Sequence, residues 1–336
     1  LAELIGLGDL HFDGHLAKYI DDLPGFIENE VNKVLRYARK NGAQNIIFYG
    51  DLCERPLMSY ASMRSLFRIL STPKFQFHII LGNHDIDTRL GGTPDQHSLL
   101  VLQDFFKGSK TVHIYTEPTD VEIDGVLVRF LPWPHLNTSP DALNIAHIEV
   151  LGAKWDSGRD TDSKSPKPNK KHVVVLGHIH TAQKIYKHHF SGTLYQTNFG
   201  EKLPKYFHHI EFNSPDDYDI RLIKHRPDIE LRTIKAMSEK DLEQIPTDKN
   251  ILVRLVLDGI SVESSNLPTN VVAIKSLSPG QTIELLDDIE FELENNSYQG
   301  VNHRRYLRSY LKKNLEEGDG KLRRQVLREF ETLFGQ

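Results

Sequence analysis

The sequence predicts an α/β protein, and three observations predict it. Five short apolar runs each end in a small residue and then offer Asp, Asn or His. Amphipathic helical stretches separate the first three of these runs, the alternation expected of a parallel sheet covered on both faces. Further on, Val121-Glu122-Ile123 and residues 126–130 flank the turn pair Asp124-Gly125, which is a hairpin pattern and points to a more antiparallel second sheet.

The elements follow in order. Ile5-Gly6-Leu7-Gly8 is the first run and leads into Asp9 and His11. Residues 26–39 then place Phe26, Ile27, Val31, Val34, Leu35 and Ala38 on one helical stripe, closed by Asn41-Gly42. A second strand, residues 46–49, delivers Asp51 after Gly50. Ser59 caps a helix whose Met63, Leu66, Phe67 and Leu70 face the core before Pro73 stops it. The third strand, residues 77–81, ends in Gly82-Asn83-His84-Asp85. Residues 143–146 lead into His147, and residues 173–177 into His178 and His180. Residues 159–171 are polar and unpatterned and read as a mobile loop; residues 193–196 and 208–212 read as strands.

Around His225-Arg226-Pro227 the pattern changes. Residues 228–234, 251–257 and 271–274 read as strands and residues 238–245 as a helix, a unit too small to hold much core unless it rests on the first domain. Past residue 300, Val301, Tyr306, Leu307, Tyr310, Leu311 and Leu315 recur at helical spacing, Gly318-Asp319-Gly320 breaks the pattern, and Leu322, Val326, Leu327, Phe330, Leu333 and Phe334 resume it. The expected domains are therefore residues 1–225, a small α/β domain at 226–295 and a helical hairpin at 296–336. The hairpin carries nine Lys/Arg against three acidic residues over 301–328; it either folds back on its own protein or is an arm that lays an apolar face on a partner.

Composition sets bounds. With 336 residues the chain suggests one large domain and smaller pieces, and a formal charge of −5 confines any nucleic-acid contact to a local surface. The single cysteine, Cys53, rules out an internal disulfide and reads as a buried apolar filler in a reducing, cytoplasmic setting. No apolar run approaches the roughly 18 residues that would span a bilayer, and no signal-peptide pattern opens the chain. Of the 17 histidines, His15, His188, His189, His208 and His209 are expected to be solvated or structural, and Trp133 to be a packing anchor.

The candidate metal ligands are Asp9, His11, Asp51, Asn83, His147, His178 and His180. His178 and His180 are two apart, so in an extended segment both face one side, and Asp9 and His11 share that spacing. Carboxylate, amide oxygen and imidazole without thiolate suit manganese, iron or zinc rather than a calcium cage or a cysteine zinc site. Any one of these motifs alone is more often a cap or a surface turn; five together, each at a strand end, specify a two-metal site. Asp51 is the expected bridge, and such a pair would hold a hydroxide for in-line attack on a phosphate ester. His84 is kept off the metals as the group that stabilises the transition state or protonates the leaving alkoxide, with Asp85 orienting or charging its ring.

The set Asp9-x-His11, Gly50-Asp51, Gly82-Asn83-His84-Asp85, His147 and Gly177-His178-Ile179-His180 resembles the calcineurin-like metallophosphoesterase superfamily. Within it, Gly50-Asp51-Leu52-Cys53-Glu54-Arg55-Pro56, the segment from Ser191-Gly192-Thr193 to Phe199-Gly200-Glu201 and the C-terminal hairpin are similar to the SbcD / meiotic-recombination-eleven branch of DNA repair nucleases, in a length similar to the phage recombination endonuclease version. The resemblance implies a metallophosphoesterase sandwich of two mixed β-sheets flanked by helices, with a capping domain and the hairpin appended. It implies Asp9, His11, Asp51 and His180 on one manganese ion and Asp51, Asn83, His147 and His178 on the other. It also implies DNA as substrate, exonuclease and endonuclease activity in recombination, repair or replication, a homodimer, and an SbcC-type SMC-like ATPase gripped by residues 301–336. For a phage protein the setting would be the host cytoplasm. Where many cellular members have a histidine that helps the leaving strand, this chain has Glu54.

Two other functions compete. A protein phosphatase or small-molecule phosphodiesterase would share the fold, but the protein-phosphatase motif wants Asp-Arg-Gly where Glu54-Arg55-Pro56 stands. A non-catalytic DNA-end tether would not require the intact ligand set.

Overall fold

Strand β1 (Ala2–Leu7) is buried along almost its whole length, and its neighbours explain why. In the computed structural model, which describes residues 1–86 and 97–277, β1 lies inside a six-stranded sheet. It pairs in parallel with β2 (Asn45–Phe48), which pairs with β3 (Gln76–Ile80), which pairs with β4 (Val112–Tyr115). On its other side β1 runs antiparallel to β11 (Lys205–Ser214), and β11 to β12 (Asp217–His225).

A second six-stranded sheet lies against the first. Its hairpin is β5 (Thr119–Ile123) and β6 (Val126–Leu131), turned at Asp124-Gly125 as the sequence predicts. From β6 the order continues in parallel through β7 (Leu143–His147), β8 (Val174–Gly177) and β10 (His188–Phe190), and ends with β9 (Gln183–Ile185) antiparallel to β10. The sheet is thus parallel at its centre and antiparallel only at its edges, and so is no more antiparallel than the first, against the expectation. The first sheet is covered on both faces as expected, but by different layers. Leu4, Ile47 and Ile80 on one face pack with Val128, Phe130, Ile145 and Val175 of the second sheet, while helices cover only the opposite face.

Helix α1 (Leu23–Asn41) begins where Asp22 accepts a hydrogen bond from Gly25 N, with Pro24 in its first turn, and ends at Gly42 in the left-handed region at φ 85°. Its Ile27, Val31, Val34, Leu35 and Ala38 bury one stripe against Ile5, Ile46 and Phe48. Helix α2 (Tyr60–Leu70) is capped by Ser59, whose hydroxyl accepts from Ser62 N. Asp13, just past β1, accepts from Ser59 N and from both serine hydroxyls, so the cap of α2 also anchors the loop that carries His11. The short α3 (Leu99–Phe105) completes that layer.

A third sheet of β13 (Glu230–Ala236), β14 (Ile251–Leu257) and β15 (Val271–Ser276) is parallel throughout. The four-residue α4 (Glu239–Leu242), opened by a capping box at Ser238 and Asp241, is shorter than the pattern over 238–245 suggests. The sheet is tied to the first layer at its root: Glu30 of α1, fully buried, accepts from Asp228 N at 3.0 Å and meets His225 Nε2 at 2.6 Å. The helical hairpin expected over 296–336 lies outside the described residues. Among those described, no helix is long and apolar enough to cross a membrane.

Two loop expectations change. Residues 193–196 form no strand; only an isolated bridge joins Thr193 to Gly8, because Thr193, Tyr195 and Gln196 spend their polar groups on side-chain contacts instead. The polar run 159–171 is partly anchored: Thr161 is buried and its hydroxyl donates to Val150 O.

Four buried histidines act as structural groups. Burial pushes His78 and His208 down to about 3 and His188 and His189 to about 4. A base held neutral in the fold adds stability that is complete above the unfolded value near 6.5 and is lost as pH falls toward the folded one. Each such residue removes up to about 1.4 kcal/mol per pH unit in that window. In chemical denaturation, wild type is expected to lose stability relative to His208→Gln as pH falls from 7 to 5; a constant difference between the two would exclude His208 as a contributor.

Candidate metal centre

Every expected ligand stands at the C-terminal end of a parallel strand. Asp9 and His11 follow β1, Asp51 follows β2, Asn83 follows β3, His147 ends β7, and His178 and His180 follow β8. The ligands of the first sheet and those of the second meet at one shared edge of the sandwich.

The backbone there is strained at several of the ligands themselves. Asp9, His11, Asp51 and His178 all have positive φ, at 55°, 45°, 48° and 83°. Each such non-glycine residue costs on the order of 1–3 kcal/mol, so four at one site mark the side-chain placement as worth the strain. Glycine makes the close approach feasible. A Cβ on Gly82 would lie 2.0 Å from Asp51 Oδ1, and one on Gly50, at φ 96°, would lie 2.6 Å from His147 Nδ1. Gly82→Ala is therefore expected to displace the Asp51 carboxylate, lowering stability by roughly 1–3 kcal/mol and weakening divalent-metal binding. Thermal unfolding together with a manganese titration checks this; wild-type values for both would show that the carboxylate has room to move.

The ligands form two clusters, each of two buried residues and one half-buried histidine. Asp9, His11 and His180 make one, with one ligand atom of each lying within 4.8 Å of the others, and Asp51, His147 and His178 make the second on the same criterion. In the first, His11 Nε2 and His180 Nε2 approach to 3.1 Å. In the second, His147 Nε2 lies 3.1 Å from Asp51 Oδ2 and 3.0 Å from Asn83 Oδ1, which brings the amide into the set. Asp9 Oδ2 is buried with no hydrogen-bond partner. An unpartnered carboxylate oxygen beside converging imidazole nitrogens is costly without a cation and apt with one, so the donor set fits a dinuclear divalent-metal centre.

Each histidine is held by its other nitrogen. His147 Nδ1 donates to Tyr49 O at 2.7 Å. His180 Nδ1 lies 2.8 Å from Glu201 Oε1, His178 Nε2 lies 3.2 Å from Glu149 Oε2, and His11 Nδ1 lies 3.0 Å from Glu54 Oε2. Such outer contacts fix which nitrogen faces inward and raise its basicity as a ligand. The field of the site is strongly negative. Burial opposes charge on His147, yet Asp51 and then Asp9 raise it to about 9; burial likewise opposes charge on His180, yet Glu201, Asp156 and Asp9 raise it to about 10. Burial would raise Asp51, but His147, His84 and His11 hold it well below the usual carboxylate range.

His84 and Asp85 part company. Asp85 is fully buried and its two oxygens accept from Cys53 N and Gly82 N, both at 2.9 Å. It braces the loops after β2 and β3, and the expectation that it orients or charges His84 is corrected. The His84 ring is held by Glu54 instead: Nδ1 donates to the Glu54 carbonyl at 3.1 Å, and the carboxylate stands 3.8 Å away. That carboxylate, which also reaches His15 at 3.6 Å, is drawn down to about 2 because His11, His84 and His15 outweigh its burial. His15, expected to be solvated or structural, therefore borders the centre. Cys53 is buried and burial pushes its thiol well up, so it is the inert filler expected.

Glu149, Asp156 and Trp155 were not singled out by sequence reasoning. Glu149 lies two residues beyond His147, a spacing that could have flagged it; the loop residues Trp155, whose ring meets His178 at 5.3 Å, and Asp156, 3.6 Å from His180, had no such signal.

The family model for calcineurin-like phosphoesterases matches residues 3–182, more than half of the chain and the span that carries every ligand. The chain belongs to this family. Its two packed mixed sheets are the calcineurin-like sandwich, and its two clusters stand where a phosphoesterase of this family has its dinuclear divalent-metal centre. Among curated proteins it is similar to exonuclease subunit 1 of Enterobacteria phage T4, 25% identical over 217 residues, or 60% of this chain; the match spans 61% of that protein's length. Among solved structures, an archaeal phosphodiesterase overlaps 66% of this chain and 99% of its own at 12% identity and TM-score 0.33. A protein of unknown function from Aquifex aeolicus overlaps 39% of this chain and 60% of its own at 18% identity and TM-score 0.23. At those scores neither overlap bears on fold or function.

Proposed function

We propose that this calcineurin-like phosphoesterase is a manganese-dependent DNA nuclease of the SbcD type. The observation that carries the chemistry is the pair of ligand clusters at the shared strand ends, with His84 beside them on its own anchor. Similarity to an exonuclease subunit directs that chemistry to DNA.

Asp9, His11, Asp51 and His180 would hold one ion and Asp51, Asn83, His147 and His178 the other; the mixed oxygen and nitrogen donors suit manganese, iron or zinc, and the resemblance to the SbcD branch selects manganese. When bound, such a pair supplies Lewis-acid stabilisation of charge on the phosphoryl oxygens and a lowered pKa for the attacking water. The chain's own groups do the rest. Asp51 and Asn83 are fixed by the loops that Asp85 braces, and buried Tyr49 O keeps His147 in one tautomer. His84, with Nδ1–H given to Glu54 O, retains Nε2 for the phosphate or the departing alkoxide.

In this reading the sheet of β13–β15 is a capping domain, the chain works as a homodimer in the cytoplasm, and residues 301–336 bind an SbcC-type SMC-like ATPase. The test is substrate class. Purified chain, supplied with manganese, is expected to shorten end-labelled duplex DNA and to lose that activity in chelator. Turnover of para-nitrophenyl esters with intact DNA, even when an SbcC-type ATPase and ATP are added, would instead assign a small-ester phosphodiesterase.

A further inference from the structure

The loop from Thr193 to Glu201 lies against both the metal centre and the third sheet, and its side chains connect the two. Glu201 is fully buried and divides its carboxylate. Oε1 meets His180 Nδ1 at 2.8 Å and accepts from Thr197 Oγ1; Oε2 accepts from Lys205 Nζ and, at 3.3 Å, from Thr193 Oγ1. Lys205, itself buried, also donates to Thr193 Oγ1 at 2.8 Å. A carboxylate held at four points has little freedom to turn, so the imidazole it grips is aimed, with Nε2 directed at His11 Nε2.

Gln196 carries the connection outward. Its amide pairs with Leu231 of β13 as a strand neighbour would: Leu231 N donates to Oε1 at 3.0 Å and Nε2 donates to Leu231 O at 3.0 Å. The same Nε2 donates to Glu201 O at 2.8 Å. One buried amide thus joins the edge of the third sheet to the backbone of the residue that aims His180. A second contact runs beside it, where the Arg254 guanidinium lies 5.5 Å over the Phe199 ring and donates to Thr233 Oγ1.

We infer that Glu201 is the positioning residue for the metal ligand His180, and that the third sheet sets its placement through Gln196. The inference rests on the metal centre proposed above and adds to it a mechanical link between the small sheet and one of the two ions. The bland alternative is that Glu201 and Lys205 form a buried ion pair that only stabilises the fold.

The experiment is manganese titration of the chelator-stripped full chain, with free ion read by electron paramagnetic resonance. Wild type is expected to take two equivalents. Glu201→Gln should weaken one of them by about 10–100-fold while the other is retained. Gln196→Ala should weaken the same equivalent to a smaller degree, and both variants should lose the spectrum of the coupled ion pair at manganese levels that fill wild type. Because Glu201→Gln strands the Lys205 charge, a double variant with Lys205→Met restores neutrality and is expected to keep the fold and the selective defect. Two wild-type equivalents in all three variants, or equal weakening of both equivalents, would overturn the positioning role. Fewer than two equivalents in wild type would overturn the metal centre itself, and the inference with it.

Discussion

His84→Ser is expected to bind manganese as wild type does and to cleave DNA about 10²–10⁴-fold more slowly, the range for losing one well-placed acid–base group. The residue touches the centre through a group it forms with His11 and Glu54, outside the Asp9–His11–His180 and Asp51–His147–His178 clusters. Its backbone N–H donates to Asp51 Oδ1 at 2.9 Å, a bond that serine keeps, while its ring is anchored on Glu54. The variant therefore removes the imidazole and leaves the loop in place. Single-turnover cleavage beside a manganese titration separates the two effects. Loss of an equivalent of manganese would make His84 a ligand, and undiminished cleavage would remove it from the chemistry.

The second large effect is at Asp51. Its carboxylate is 2% exposed and lies 3.1 Å from His147, with His84 and His11 also drawing it into the charged form. In the proposed centre it is the ligand shared by both ions. Asp51→Asn keeps the shape and removes the charge, so both manganese equivalents are expected to weaken together and hydrolysis to fall by at least the roughly 10²–10⁴ assigned to His84. Weakening of one equivalent only would place Asp51 on a single ion. The contrast with Glu201→Gln, where one equivalent alone is affected, distinguishes a bridge from an outer contact.

The residues that converge in the two clusters were legible in the sequence because their grammar is local. A buried parallel strand ends in glycine so that backbones can approach, and the next polar residue faces the site; Gly50-Asp51 and Gly82-Asn83 are both of this kind, and each glycine has no space for a Cβ. Helices α1 and α2 were legible for the same reason, through Gly42 at one end and Ser59 at the other. What the sequence did not reveal depends on contacts between distant segments. Asp85 follows His84 directly, yet its oxygens go to backbone amides of Cys53 and Gly82, while Glu54, thirty residues back, holds the ring. The parallel centre of the second sheet was hidden because its crossovers are irregular loops, such as the one between β7 and β8, with no helical periodicity to reveal them. Residues 193–196 look like a strand by composition, but Gln196 offers its side-chain amide to β13 in place of a backbone ladder.

The most direct measurement of the central claim is the initial rate of DNA phosphodiester hydrolysis as manganese is added in known equivalents to the chelator-stripped chain. Two ions bridged by Asp51, as proposed, predict a rate that stays near background through the first equivalent, rises with the second, and is absent at every level in Asp51→Asn. A rate that saturates at one equivalent, or that persists in chelator, would contradict a dinuclear nuclease.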